Sequence, residues 1–466
     1  MARRAWFGSG VVVALVFLVT LPAVTTRLYA ADEFQYFAYL RSLWFDRDLS
    51  FDNEYRYFID SGATRDPGFQ ATFLDAETVT GRRPNYGTIG SAILWLPFYA
   101  IADAGVRLGR AFGSATPADG FARPYVTAVT WASACYGLFA LWIAAGVATR
   151  LGGRGLAAAV AVGLGTPVIF YMYVAPGMAH ATSAFAVAVF VWVWLHVRRH
   201  WPVGGVAVLA ATGALVAMVR EQEVFLAIVP AVDYVWSIVE RGPGPRGARL
   251  RAGAVRLAVA AAAFTVAYLP QLLSYLVLNG RPGPSPVIGA KMHWTAPFAP
   301  AVVFSPAHGW VFWTPLVVLA VAGIVLTIAR PGAGGADRRR VATLLLVAVA
   351  TQVYVSGSVA SWTLAGAFGQ RRFVGMTICL VIGLAWLLAR ASPGAVGRTV
   401  WLATGVAVWW NLALALQFGA GLMDRQRLEL GRNARVTFLE LPVQLPGLAY
   451  RYLFDRASFY RDGSLR

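Results

Sequence analysis

The chain has 466 residues, 58% of them hydrophobic and only 13% charged, with a mean hydropathy of +0.59. That composition cannot cover a soluble surface, so soluble, all-β, fibrous and disordered classes are excluded and the chain belongs in a membrane. The net charge of +18 comes from 40 basic and 22 acidic residues, and all the basic residues but Lys291 are arginine; so uniform a preference reads as coding bias, and no nucleic-acid partner is expected.

Arg3 and Arg4 precede the first apolar run, with no obvious small-residue cleavage site behind it, so residues 8–29 are read as a retained signal-anchor helix. Further runs long enough to cross about 30 Å of hydrocarbon follow at 124–149, 155–172, 181–197, 202–219, 223–239, 253–278, 309–329, 341–360, 373–389 and 399–420. The expected fold class is therefore an all-α polytopic membrane protein of about 11 transmembrane helices. Residues 87–108 are also apolar, but Pro97 and Asp103 interrupt them, and they are expected to lie on the outer face or dip into it. Short connections on one side of this threading carry fifteen arginines, among them Arg150, Arg198 and Arg338, against five cations on the other. The positive-inside rule then places the N-terminus in the cytoplasm. A twelve-span threading with the N-terminus outside satisfies the same count but strands Arg3 and Arg4. The organisation expected is one membrane module over 1–420, with a long outer first loop over 30–122, and an outer tail over 421–466. Cys135 and Cys379 both fall inside apolar runs, which leaves no disulfide framework or thiolate metal cluster in view.

The outer face is where chemistry is expected. Ten of the 22 acidic residues lie between 31 and 80, beginning with Asp32 and Glu33 directly after the first span. A carboxylate at that boundary can take a proton from a hydroxyl whose partner is a lipid; the plainer reading is an acidic helix start, favoured by capping and the helix dipole. Arg220 stands between two spans with almost no loop, where it can bind an anion or pair with Glu221 and Glu223. Asp233, deeper in its span, is either functional or hydrogen-bonded to a neighbouring helix. The stretch 279–308 carries Lys291 and His293, and a single lysine among arginines suits a phosphate oxygen. In SWTLAGAFGQRRF, Arg371 and Arg372 offer forked donors for a phosphate, or else contacts to lipid headgroups. Walker, Rossmann, HExxH and GxSxG signatures are absent, and the five histidines are too scattered for a metal site. No cofactor is assigned; a divalent cation on first-loop carboxylates stays open.

The acidic pair after the first span, the long outer loop, the apolar helix behind it and the basic short loops together resemble the GT-C superfamily of membrane glycosyltransferases. The chain looks most like the protein mannosyltransferase and aminoarabinose transferase branch. In that branch an Asp-Glu pair opens a first outer loop containing juxtamembrane helices, which assigns Asp32, with Glu33, to the catalytic position. Where the branch has a lysine-proline-proline-leucine motif, this chain has RRPNY, with Arg82 and Tyr86 as supporting candidates. The resemblance implies an enzyme of the cell (inner, cytoplasmic) membrane with its active site on the periplasmic or extracellular side. It would transfer a hexose or pentose, with inversion, from a polyprenyl-phosphate donor to a lipid, polysaccharide or protein hydroxyl. Arg220, Lys291, Arg371 and Arg372 would bind the donor phosphate, with His293 in support, and a groove among the spans would hold the isoprenoid tail. The alternatives are a transporter or flippase for a lipid-linked saccharide or other anion, and a nonenzymatic assembly or sensor protein.

Overall fold

A computed structural model describes residues 2–240, 246–364, 366–391 and 393–455. Arg241 and the end of the expected tail, 456–466, lie outside the described residues. All regular structure among the described residues is helical. In chain order the principal helices are α1 (Ala2–Thr20), α2 (Ala31–Arg41), α3 (Asp52–Asp60), α4 (Gly90–Ala111), α5 (Arg123–Arg150), α6 (Gly155–Gly165), α7 (His180–Val197) and α8 (Val203–Val219). They continue with α9 (Ile228–Glu240), α10 (Arg246–Asn279), α11 (Leu316–Ala329), α12 (Gly335–Gly357), α13 (Thr377–Arg390), α14 (Ala395–Gly419) and α15 (Leu441–Phe454). Eight described helices are long and apolar enough to cross a membrane, and four shorter apolar helices accompany them. The polytopic all-α expectation therefore stands.

The span boundaries differ from the sequence reading where proline or a tight turn intervenes. The stretch 155–172 breaks at Thr166-Pro167, and 309–329 breaks at Thr314-Pro315, because proline supplies no amide donor and crowds the preceding turn. The stretches 223–239 and 373–389 each begin as a 3₁₀ turn, Glu221–Ala227 and Arg371–Met376, before the α-helix takes over. Conversely, Pro97 and Asp103 do not interrupt α4, which is one helix of 22 residues. Asp103 is buried there and satisfied by Tyr125 Oη at 2.8 Å, Trp44 Nε1 at 3.1 Å and Arg107 Nε at 2.9 Å.

The chain divides into two compact units. The first comprises Met1–Ala140 and Tyr171–Met292, the second Leu141–Phe170 and His293–Arg466. In the first, the outer loop folds as an aromatic core: Phe34 stacks on Phe58 at 4.2 Å and Tyr57 on Phe121 at 3.9 Å, while Tyr39, Tyr55 and Trp95 are fully buried. Most of the loop's carboxylates have structural partners. Arg41 pairs with Asp46 and with Glu54, Arg83 with Asp52, and Asp66 caps Gly68 N. In the second unit α13 is buried along its length. It meets α11 through glycines: a Cβ on Gly323 would lie 1.9 Å from Gly383 O, and one on Gly383 would lie 2.3 Å from Ala320 O. Only small residues allow membrane helices so close. The described tail docks on α14, where Gln417 bonds both Asn433 and Thr437.

Candidate functional site

In the first unit, α2 begins where it does because Glu33 caps it. Glu33 Oε2 accepts from Tyr29 N at 2.8 Å and Ala30 N at 3.1 Å, and the side chain is fully buried. Asp32, beside it in the first turn, is only half-buried. The turn containing Gly177 lies over this end of α2 so closely that a Cβ on Gly177 would come within 3.0 Å of the Glu33 carboxyl carbon. Along the same helix Gln35 pins the segment Asn85-Tyr86. Its main-chain oxygen accepts from Asn85 Nδ2 at 3.0 Å and its Oε1 from Tyr86 N at 2.8 Å. Tyr86 is thereby fixed against Phe73, while Arg82 is half-exposed and it is Arg83 that reaches the acids.

The pinned segment joins α2 to the end of α8. Thr88 Oγ1 donates to Val219 O at 2.9 Å, Ile89 N donates to Gln271 Oε1 at 2.9 Å, and a Cβ on Gly90 would lie 2.4 Å from the Met218 carbonyl carbon. At Arg220 the backbone turns extended, which ends the helix and places the side chain in the same unit's polar layer. Arg220 Nη1 lies 3.1 Å from His180 Nδ1, and Nε lies 3.6 Å from Glu223 Oε1. Ser183 Oγ holds the buried Glu223 carboxylate, 2.7 and 2.6 Å from its two oxygens. Tyr39 is buried nearby with no hydrogen-bond partner for its hydroxyl among the described residues. Burial first, and the Glu221 charge second, raise this phenol far above its ordinary range, so it stays protonated.

Glu223 also borders an apolar cleft of about 570 Å³ between α8, α9 and α10, lined by Leu209, Gly213, Val216, Ala260 and Phe264 among others. The lining runs along α8 from Val206 to Val216, about 15 Å of helix. Glu223, the carboxylate partner of Arg220, thus stands on the border of a hydrocarbon-lined trough. Asp233, by contrast, is a structural acid: Trp194 Nε1 at 2.9 Å and Arg198 Nε at 2.8 Å satisfy it. Lys291 is exposed on the turn after Pro286–Gly289.

In the second unit, Arg372 is buried and donates to Ser361 O at 3.1 Å and Ser361 Oγ at 3.3 Å, so it closes its own loop. Arg371 is half-buried beside His308. Burial, and then the Arg371 charge, push the His308 imidazole down to about 4. His293 is exposed; its N–H donates to Ser358 O at 2.6 Å and its ring meets Phe298 edge-on. Among the described residues no three His, Cys, Asp or Glu side chains gather as a metal site.

The structure therefore places Asp32 and Glu33 at the start of α2, and Tyr86 on a segment that reaches from α2 to the residue before Arg220, all in the first unit, while Arg371 and Arg372 are neighbours in the second. Sequence reasoning missed His180, Ser183 and Tyr39. The small-residue break PGMAHATS was the only signal for the first two.

No family model matches the chain, and no curated protein matches it. Among solved structures, ArnT from Cupriavidus metallidurans bound to undecaprenyl phosphate is similar over 99% of this chain and 74% of that one, with a TM-score of 0.51 and 18% sequence identity. The chain thus has the fold of ArnT, which is the fold the sequence resemblance implied.

Proposed function

We propose that the chain is a membrane glycosyltransferase that moves a sugar from a polyprenyl-phosphate donor to an acceptor hydroxyl on the periplasmic or extracellular face of the cell membrane. One observation carries this reading: the Arg220 guanidinium, through its partner Glu223, adjoins the end of the apolar cleft of about 570 Å³. A phosphate on a long hydrocarbon chain fits both features at once, since the cation meets the anion and the trough removes the tail from competing lipid. Undecaprenyl phosphate, bound in the ArnT crystal structure, is a ligand of that description.

In the proposed step the acceptor hydroxyl oxygen attacks the anomeric carbon while the bond from that carbon to the phosphate oxygen breaks. The hydroxyl proton passes to the Asp32 carboxylate, and the bonding pair leaves on the phosphate, inverting the anomeric centre in one displacement. Arg220 stabilises the charge that develops on the leaving phosphate. Asp32 is taken as the base because it opens the acidic pair at the start of α2, where it is half-buried, while Glu33 caps the helix. Glu33 then positions Asp32 by fixing where α2 starts. Lys291 is a further donor-phosphate candidate of the same unit, with Arg82 and Tyr86 in supporting places. The acceptor is a lipid, polysaccharide or protein hydroxyl.

The test is turnover by the purified chain in vesicles, supplied with undecaprenyl phosphate carrying a labelled hexose or pentose and with candidate acceptors, with and without a chelator. Sugar leaving the lipid, with free undecaprenyl phosphate as co-product, supports the enzyme. Movement of intact lipid-linked sugar between leaflets without cleavage makes the chain a flippase instead.

A further inference from the structure

In the second unit the helix breaks at Thr166-Pro167 and Thr314-Pro315 interrupt apolar runs, and a third irregular stretch leads into the 3₁₀ start at Arg371. Irregular backbone at such positions is tolerated only where it is buried in protein or lines a cavity, and interrupted helices frequently build binding sites. Around these stretches lie buried polar side chains without hydrogen-bond partners among the described residues. His308 is fully buried, and among the described residues neither Nδ1 nor Nε2 has a hydrogen-bond partner. Thr314 Oγ1, Gln370 Oε1 and Asn411 Oδ1 are likewise buried and unsatisfied.

These groups are linked through the fold. Gln370 Nε2 donates to His308 O at 3.1 Å and to Trp362 O at 3.1 Å. The His308 ring packs on Trp313, next to Thr314, with centroids 4.9 Å apart. Asn411 Nδ2 donates to Leu164 O and Thr166 O, and a Cβ on Gly369 would lie 2.8 Å from Pro167. Leaving several buried polar atoms unpaired is costly, so such a group persists where a ligand or ordered water completes it.

The chemistry of the missing partner follows from the atoms. Both amide nitrogens already donate to main-chain carbonyls, which fixes the amide orientations and leaves the two oxygens as pure acceptors. A phosphate brings only acceptors and cannot satisfy them. Hydroxyl groups both donate and accept, matching two carbonyl oxygens, the Thr314 hydroxyl and a neutral imidazole with one donor and one acceptor. We infer that His308, Thr314, Gln370 and Asn411 form a hydroxyl-recognition pocket for a carbohydrate. The inference rests on the glycosyltransferase reading only for naming the hydroxyl-bearing ligand as a sugar.

The test uses the full chain in detergent, titrated separately with the methyl glycosides of mannose, glucose, galactose and arabinose and with bare undecaprenyl phosphate. The variants Thr314→Val and His308→Phe replace unsatisfied atoms with apolar ones of similar shape. Each should leave thermal stability equal or higher and weaken the bound glycoside by roughly tenfold. Affinity for bare undecaprenyl phosphate should not change. No binding of any glycoside by the native chain, or unchanged glycoside affinity in both variants, overturns the pocket. Two destabilised variants overturn it as well, because the side chains would then be structural. Glycoside binding without any binding of undecaprenyl phosphate leaves the pocket standing and instead contradicts the lipid-donor reading.

Discussion

Arg220 Nη1 faces His180 Nδ1 at 3.1 Å, and because a guanidinium can only donate, the imidazole nitrogen is the acceptor of this contact. His180 and the Glu223 carboxylate together hold the arginine in the polar layer beside α2. Replacing Arg220 with alanine is expected to lower sugar transfer by about 10²–10³-fold, the usual loss when one donor to developing charge is removed. Lysine should restore only part, because it lacks the planar fork. Steady-state transfer rates on the two variants check this, and wild-type rates from the alanine variant would remove Arg220 from the site.

Arg198 and Asp233 form a buried pair, with side chains 7% and 0% exposed. Truncating Arg198 to alanine strands a buried carboxylate, which typically costs about 3–5 kcal/mol. Thermal unfolding in detergent should show that loss, while the protein that remains folded keeps native transfer kinetics. A catalytic defect without loss of stability would make Asp233 functional after all.

The approach of α11 to α13 leaves no room for a methyl group at Gly323, where a Cβ would stand 1.9 Å from Gly383 O. The obstacle is backbone, so the two helices must separate. Gly323→Ala is expected to destabilise by at least about 1–3 kcal/mol, the cost of overpacking. A melting temperature equal to that of the native chain would show that the helices are less tightly apposed.

His308 sits below its ordinary value of 6.5, at about 4, chiefly through burial. As pH falls through 6.5 the unfolded chain binds a proton that the folded chain refuses until about 4. The His308 contribution is therefore complete above 6.5 and is lost progressively on acidification from 6.5 towards 4. Unfolding followed across that range should show a shallower slope for His308→Phe than for the native chain; equal slopes would mean that the imidazole is solvated in the folded state.

Much of this was legible beforehand. Apolar run length gave the membrane class and the approximate number of helices, and the Asp32-Glu33 pair after the first run pointed to one end of α2. The spacing of Arg220 and Glu223 also anticipated their pairing. What escaped was geometry fixed by tertiary packing. Thr166-Pro167 and Thr314-Pro315 are visible as proline signals, yet run length outweighed them. His180 and Ser183 read as ordinary residues of a span until α8 brings Arg220 and Glu223 against them. Arg371 and Arg372 look equivalent in sequence, but Arg372 turns inward to Ser361 whereas Arg371 stands beside His308.

In the proposed transfer the Asp32 carboxylate accepts the proton of the attacking hydroxyl. The most direct measurement compares the native chain with Asp32→Asn for two quantities, single-turnover sugar transfer and equilibrium binding of undecaprenyl phosphate. Transfer should fall by about 10²–10⁴-fold, the range for loss of a general base, with binding of the lipid unchanged. Transfer at the native rate by Asp32→Asn would contradict the account.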